Sequence, residues 1–173
     1  LFTSSDIPGI LAAMESAENA QALAQFLTKV KTKTDGKLSS TEGKTPRADG
    51  LYNYNDAILG TIEAKALYYA LYKNDAVKSR EAALRGYQAI YAIKNYMLTL
   101  DVQWKATDQC RFYGHTLYVA ALVYDWCYDL LTDVDKYQLT IGAEAKLCRG
   151  YSGDAAKSTN NGLKMEVSFP PQT

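Results

Sequence analysis

Apolar side chains recur with helical spacing along most of this chain, and most densely between Arg111 and Leu131. One face of this segment follows the i, i+3, i+4, i+7 rule of an amphipathic helix. It consists of Leu117, Ala120, Ala121, Tyr124, Cys127, Tyr128 and Leu131. A second apolar face is formed by Val119, Leu122, Trp126 and Leu130. Because a helix that is apolar nearly all round needs neighbours on every side, the pattern predicts an inner helix wrapped by others.

Weaker periodic patterns predict helices before this segment. Ser4, Ser5 and Asp6 form a helix-entry signal, and the apolar positions from Leu11 to Val30 predict amphipathic helix with a break near residues 16–19. Residues 31–50 are rich in Lys, Thr, Ser and Gly, which predicts a long surface loop. Loops of this length are uncommon inside compact domains and are often functional.

Two further helices are predicted between this loop and the Arg111–Leu131 segment. The first begins at Asn55–Asp56, and a turn at Asn74–Asp75 separates it from a second helix over residues 77–98. After the apolar segment, Thr132 and Asp135 fit a capping box in which Asp replaces Glu, and a last helix follows. No convincing strand is predicted, although residues 163–169 alternate weakly.

Helices joined by short turns pack as antiparallel hairpins. The chain of 173 residues is therefore predicted to be all-α and to form a single helical domain over residues 1–173. Residues 31–50 would form its long loop, and residues 150–173 an irregular C-terminal tail.

The charge balance and the hydropathy of the chain reduce the number of function classes that fit the sequence. Nineteen Lys and Arg balance nineteen Asp and Glu, whereas a nucleic-acid binder shows a basic excess, so no nucleic-acid partner is expected. No apolar run reaches the eighteen residues of a membrane span. The chain opens without Met or a signal peptide, which we interpret as a processed or engineered start that leaves export open.

Tyrosines and cysteines are the other compositional features. Fourteen tyrosines suit half-buried helix packing, and they also suit contacts with carbohydrate. Cys127 lies on the apolar face, which predicts a small buried thiol. Cys110, Cys127 and Cys148 lack metal-type spacing, and one disulfide with one free thiol stays open as an alternative.

Three segments carry a family resemblance: residues 49–71, residues 111–131 and residues 164–171, the last reading Lys-Met-Glu-Val-Ser-Phe-Pro-Pro. Together they resemble the heparinase II/III-like polysaccharide lyases. The closest match is Val-Tyr-Asp-Trp-Cys-Tyr-Asp-Leu-Leu-Thr at residues 123–132. The likeness extends over nearly the whole chain, and its motifs are helix-packing patterns rather than catalytic signatures.

The resemblance implies antiparallel helical hairpins forming part of an incomplete (α/α) toroid, which in that family is followed by β-sheet domains. It implies cleavage of acidic polysaccharides containing uronic acid by β-elimination, without a cofactor, in a secreted or periplasmic protein. The catalytic Asn or His of the family would be expected after the Phe-Pro-Pro segment, beyond Thr173. This chain would then be an N-terminal toroid fragment that is inactive alone, and its apolar edge would favour self-association.

Elimination from a uronic acid needs a group that neutralises the carboxylate, a base and an acid. Arg111 could pair with a carboxylate, and His115, the only histidine, lies one turn further on. No catalytic residue is assigned within the chain. The candidates for substrate binding are Tyr52, Tyr54, Asn55, Arg111, His115 and Trp126.

Each candidate also has a structural explanation. Arg111 and His115 suit ion pairs or hydrogen bonds between helices, the tyrosines suit a turn before a helix, and Trp126 suits core packing. Asp125 is expected to be buried and paired, tying two helices together. No metal site, phosphate loop or nucleophile elbow is present in the sequence. The alternatives are therefore a helical carbohydrate-binding or scaffolding module without chemistry, and a helical protein-interaction array.

Overall fold

The computed structural model describes residues 2–33, 44–46, 52–54, 57–99 and 109–140. Its helices are α1 (Ile7–Met14), α2 (Ala20–Lys31), α3 (Ala57–Tyr72), α4 (Ser79–Thr99) and α5 (Gln109–Trp126), and residues 133–140 are also helical and are called α6. Short 3-10 helices span Ala17–Asn19 and Tyr128–Leu130. The all-helical class is thus confirmed, apart from one short β-hairpin.

That hairpin joins β1 (Lys44–Pro46) to β2 (Tyr52–Tyr54), which pair antiparallel. It corrects the expectation that the chain contains no strand, and β1 lies inside the predicted 31–50 loop. Three residues per strand are too few to give a recognisable alternation of apolar and polar positions, so the sequence carried no strand signal. The rest of that loop, the 150–173 tail and the weakly alternating 163–169 segment lie outside the described residues.

Three boundaries in the described helices agree with the sequence. The predicted break near residues 16–19 is the 3-10 turn between α1 and α2. The turn after α3 is closed by Asp75, whose carboxylate accepts hydrogen bonds from the Val77 and Lys78 amides at 2.8 and 2.7 Å. Asp and Asn at such positions satisfy amides that the helix itself leaves free. α4 therefore starts close to the predicted position.

The capping box before α6 is also confirmed. The Thr132 amide donates to the Asp135 carboxylate at 3.0 Å, and the Asp135 amide donates to the Thr132 hydroxyl at 3.2 Å. This reciprocal pair satisfies two amides at the start of the helix. The same carboxylate is held by Lys94 of α4, so the cap also ties α6 to the rest of the molecule.

The core is centred on α3, which packs against α2, α4 and α5. Eleven of its 16 residues are buried. The six-residue turn between α3 and α4 lets the two helices pack antiparallel along their lengths. Gly86 of α4 marks their close approach, since a Cβ there would lie 3.0 Å from the Tyr69 ring and 2.6 Å from Leu130.

The expectation that α5 is wrapped on all sides is wrong for the described residues. Its inner face is buried, and includes Val119, Val123 and Cys127 just beyond its end. Its outer face is not, since Leu117 is 42% and Tyr118 is 55% exposed. Apolar composition reports burial only on average, because folded proteins leave much apolar surface in contact with water. The central helix is α3, whose apolar stripe is a weaker signal in the sequence than that of α5.

Candidate functional site

The predicted binding residues fall on two parts of the fold. Tyr52 and Tyr54 are the ends of β2, and Arg111, His115 and Trp126 are on α5. Asn55 lies outside the described residues. The structure therefore places three of the six candidates on one helix.

Two of these α5 residues have described side chains. His115 is half-buried, with its ring centroid 6.4 Å from that of the exposed Tyr118. Trp126 is half-buried and packs against Phe2, with ring centroids 5.9 Å apart. Eleven residues separate His115 from Trp126, about 16 Å along the helix axis. The two rings therefore cannot act on the same sugar ring, and the contact with Phe2 accounts for Trp126 as a packing residue.

Asp125 does not have the buried position that the sequence predicts for it. It is exposed rather than buried, because it lies on the outer face of α5. An exposed carboxylate needs no protein partner to satisfy it, so the inference that Asp125 ties two helices together is wrong.

Cys127, in contrast, is buried as a free thiol, as predicted, and burial raises its pKa to about 12. A thiol that stays protonated in this way is an unreactive packing group.

A polar network that the sequence analysis missed crosses the interface of α2, α3 and α4. Lys65 of α3 is only 1% exposed, and its ammonium donates to the Val30 carbonyl and to the Gln88 side-chain oxygen, both at 2.8 Å. Arg85 donates to the same Gln88 oxygen at 3.1 Å and to the Glu81 carboxylate at 3.0 Å. The network therefore joins three helices through charged groups at their common contact.

The sequence did contain a signal for this network. Lys65 lies three residues after Ile62 and four before Tyr69, so it interrupts the apolar stripe of α3. A lysine at such a position either extends its head to water or is buried with hydrogen-bond partners. The second case holds here.

The described tyrosines with shifted pKa values are acids that stay protonated. Burial and the nearby Glu81 carboxylate raise the pKa of Tyr68 to about 12, and its hydroxyl donates to Glu81 at 3.3 Å. Burial likewise raises the pKa of Tyr69 and of Tyr96 above the ordinary value. A tyrosine that removes a proton at neutral pH needs the opposite shift, so these three phenols stay protonated and do not act as bases.

Asp129 forms a second cluster at the far end of α3. It pairs with Lys73 at 3.2 Å and accepts a hydrogen bond from the Tyr69 hydroxyl. Burial opposes ionisation, but the hydrogen bonds from Tyr69 and Lys73 outweigh it and lower the pKa of Asp129. The cluster fixes the 3-10 turn at Tyr128–Leu130 against α3.

No group of three or more His, Cys, Asp or Glu in the described ranges could hold a metal ion. Within those ranges no helix combines the length and the apolarity that crossing a bilayer requires.

Comparison with known proteins gives no further assignment. No family model matches the chain, and no curated protein or solved structure matches it.

Proposed function

We propose that this chain is the N-terminal, helical part of a protein similar to the heparinase II/III-like polysaccharide lyases, and that it binds glycan without supplying the acid and the base. The resemblance of three segments supports the kinship. The packing of α3 and α4 as a helical hairpin is consistent with the expected architecture. The toroid arrangement, the acidic substrate and a secreted or periplasmic location belong to this proposal.

The direction of the tyrosine pKa shifts supports one part of this proposal, the absence of a tyrosine base among the described residues with shifted pKa values. Tyr68, Tyr69 and Tyr96 are all held in their protonated form. A β-elimination also needs a cation beside the uronate carboxylate. Arg111, one turn before His115 on α5, is the candidate for that contact.

Binding and cleavage assays on the whole chain test the proposal. Alginate, heparin and hyaluronan would be titrated calorimetrically, with neutral dextran as the reference polymer, and the ultraviolet absorbance of the unsaturated product would report cleavage. We expect binding of at least one acidic polymer without product formation. Cleavage by this chain would contradict the non-catalytic assignment, and a lack of binding to all three would contradict the glycan assignment.

The contact residues are tested by Arg111→Ala and His115→Ala. We expect Arg111→Ala to weaken binding by roughly tenfold, which corresponds to about 1.4 kcal/mol. Arg80→Ala is the matched control, because Arg80 is an exposed arginine on α4, a different helix. Equal losses for both arginine variants would mean that only net charge matters and that α5 forms no specific site.

A carbohydrate-binding or scaffolding module of another family is the second candidate. The tyrosine pKa shifts are equally compatible with it, since they argue only against a tyrosine base. It predicts binding of neutral glycans as tightly as acidic ones, whereas the lyase-like proposal predicts a preference for uronates.

A further inference from the structure

The outer face of α5 carries a pattern that differs from an ordinary solvated helix surface. Gly114, Leu117, Tyr118, Ala121 and Asp125 are all exposed. A helix surface that faces only water is normally rich in charged residues. Over the 18 residues of α5, however, Arg111 and Asp125 are the only Lys, Arg, Asp or Glu.

Four of these exposed positions, together with position 111, also have the spacing of a helix-pairing seam. Positions 111, 114, 118, 121 and 125 follow one another at intervals of three and four residues, as the a and d positions of a heptad do. Gly114 and Ala121 occupy both d positions within α5, and a Cβ built on Gly114 meets nothing within 4 Å. Small residues at these positions leave room for a second helix to approach closely.

The two charges make this seam self-complementary in one orientation only. Arg111 and Asp125 each lie seven residues from Tyr118, about 10 Å along the axis in opposite directions. A second copy of α5 running antiparallel, with its Tyr118 at the two-fold axis, brings position 111 of each chain to Asp125 of the other. A parallel copy would instead bring like charges together.

We propose that the outer face of α5 is a homodimer interface in which two copies of this helix pair antiparallel about Tyr118. The charge register favours a second copy over other occupants, because a two-fold interface must match its own residues. The zero formal net charge of the chain adds no long-range repulsion between copies. The proposal does not require the glycan assignment, although both place Arg111 at a contact of α5.

A single helix pair buries less surface than a standard stable interface, so we expect a weak, concentration-dependent dimer. Sedimentation velocity over a wide concentration series would show the sedimentation coefficient of the wild-type chain rising from monomer to dimer. Tyr118→Glu places two carboxylates at the axis and should leave a monomer throughout the series. Gln138→Glu, a new carboxylate at an exposed position of α6, is the matched control and should dimerise as the wild type does.

Charge exchange is the decisive experiment. Arg111→Asp alone and Asp125→Arg alone each turn both end contacts repulsive, and we expect the dissociation constant to rise by about tenfold or more. An equimolar mixture of these two variants has opposite charges at both ends, so it should form a heterodimer with nearly wild-type affinity. The double variant Arg111→Asp/Asp125→Arg should also dimerise, because opposite charges meet again at both ends of the antiparallel pair. A parallel pair is distinguished by the single variants, which would leave its like-charge contacts as unfavourable as before and so would not weaken it.

Circular dichroism and thermal unfolding verify that every variant remains folded. A wild-type chain that stays monomeric over the whole series overturns the proposal, and so does a mixture that fails to associate. If Tyr118→Glu weakens alginate binding while wild type and variant are both monomers, the face binds glycan and not a second copy. That result would leave the proposed function intact while it removes the dimer.

Discussion

Buried charge is the dominant feature at the scale of single residues. The Lys65 ammonium donates to the Val30 carbonyl, which belongs to the last turn of α2, where carbonyls have no partner within the helix. A cation is also favoured at that end by the helix dipole. The Gln88 oxygen accepts from Lys65 and from Arg85, so one amide links the two cations. Lys65 therefore stabilises the contact of three helices in place of an apolar side chain.

Removing that side chain should destabilise the fold. We expect Lys65→Ala to lower the free energy of unfolding by about 2–4 kcal/mol, because it opens a cavity and removes the donor to Val30. Lys73→Ala is the control, since Lys73 is partly exposed and its pair with Asp129 is a surface contact worth about 1 kcal/mol or less. Urea unfolding followed by circular dichroism measures both. Similar losses for the two variants would show that Lys65 is not a structural residue.

Glycine offers a second comparison at this scale. Gly86→Ala places a Cβ at 3.0 Å from the Tyr69 ring, and we expect it to destabilise the protein by about 1–3 kcal/mol despite the better helix propensity of Ala. Gly114→Ala meets open space on α5 and should stabilise the protein by about 0.5–1 kcal/mol. Thermal melts of the two variants should thus shift in opposite directions. Shifts of the same sign would contradict the close approach of α3 and α4.

At the scale of elements, the predictability of each feature depended on how local its cause is. The Thr132–Asp135 cap and the break between α1 and α2 were predicted because neighbouring residues determine them. The prediction that α5 is the central helix was wrong, since that place depends on contacts distant in sequence. α3 is interrupted by Lys65 but is buried by three neighbours, whereas the more apolar α5 has a free outer face.

The same distinction holds for the candidate site. The sequence identified α5 as important and named His115 and Trp126, but it could not show that Trp126 packs on Phe2 from the other end of the chain. Nor could it show that Asp125 faces outward. The helix has two apolar faces, and the sequence does not show which of them packs against the core. The ties of Lys73 to Asp129 and of Lys94 to Asp135 span 56 and 41 residues, and no local pattern reports them.

The Asp135 carboxylate predicts how the attachment of α6 depends on pH. Burial opposes its ionisation, but hydrogen bonds from Lys94 and Thr132 outweigh this and lower its pKa below the ordinary 3.8. A lowered pKa means that the folded state favours the charged form, so this stabilisation is complete above the unfolded pKa. It is lost as the pH falls below 3.8 toward the folded value.

Asp135→Asn should therefore lower the free energy of unfolding by about 1 kcal/mol at neutral pH, and by less as the pH falls. Asp133→Asn is the control in the same turn, because Asp133 is fully exposed and its nearest lysine nitrogen is 3.7 Å away. Chemical unfolding at a series of pH values measures the difference from wild type. If the wild type and Asp135→Asn differed by the same free energy of unfolding at every acid pH, Asp135 would not have the lowered pKa in the folded state.

At the scale of the whole molecule, burial is unevenly distributed along the chain. α1 has no buried residue and α2 has one, Val30, whereas α3 is mostly buried. Amides exchange with solvent through local opening, whose free energy rises with the number of packed contacts that must break. The structure thus predicts a gradient of stability, with α3 at its centre and α1 at its edge.

Native-state hydrogen exchange followed by mass spectrometry measures this gradient directly. We expect amides of α3 to exchange only through global unfolding, with a denaturant dependence equal to that of the whole domain. Amides of α1 should exchange through local fraying and show almost no denaturant dependence. In Lys65→Ala, α2 should lose protection more than α5 does, because the Val30 contact is lost while the contacts of α5 with α3 remain. Equal protection of α1 and α3 would mean that the N-terminal helices are integrated into the core far more firmly than their exposed side chains indicate.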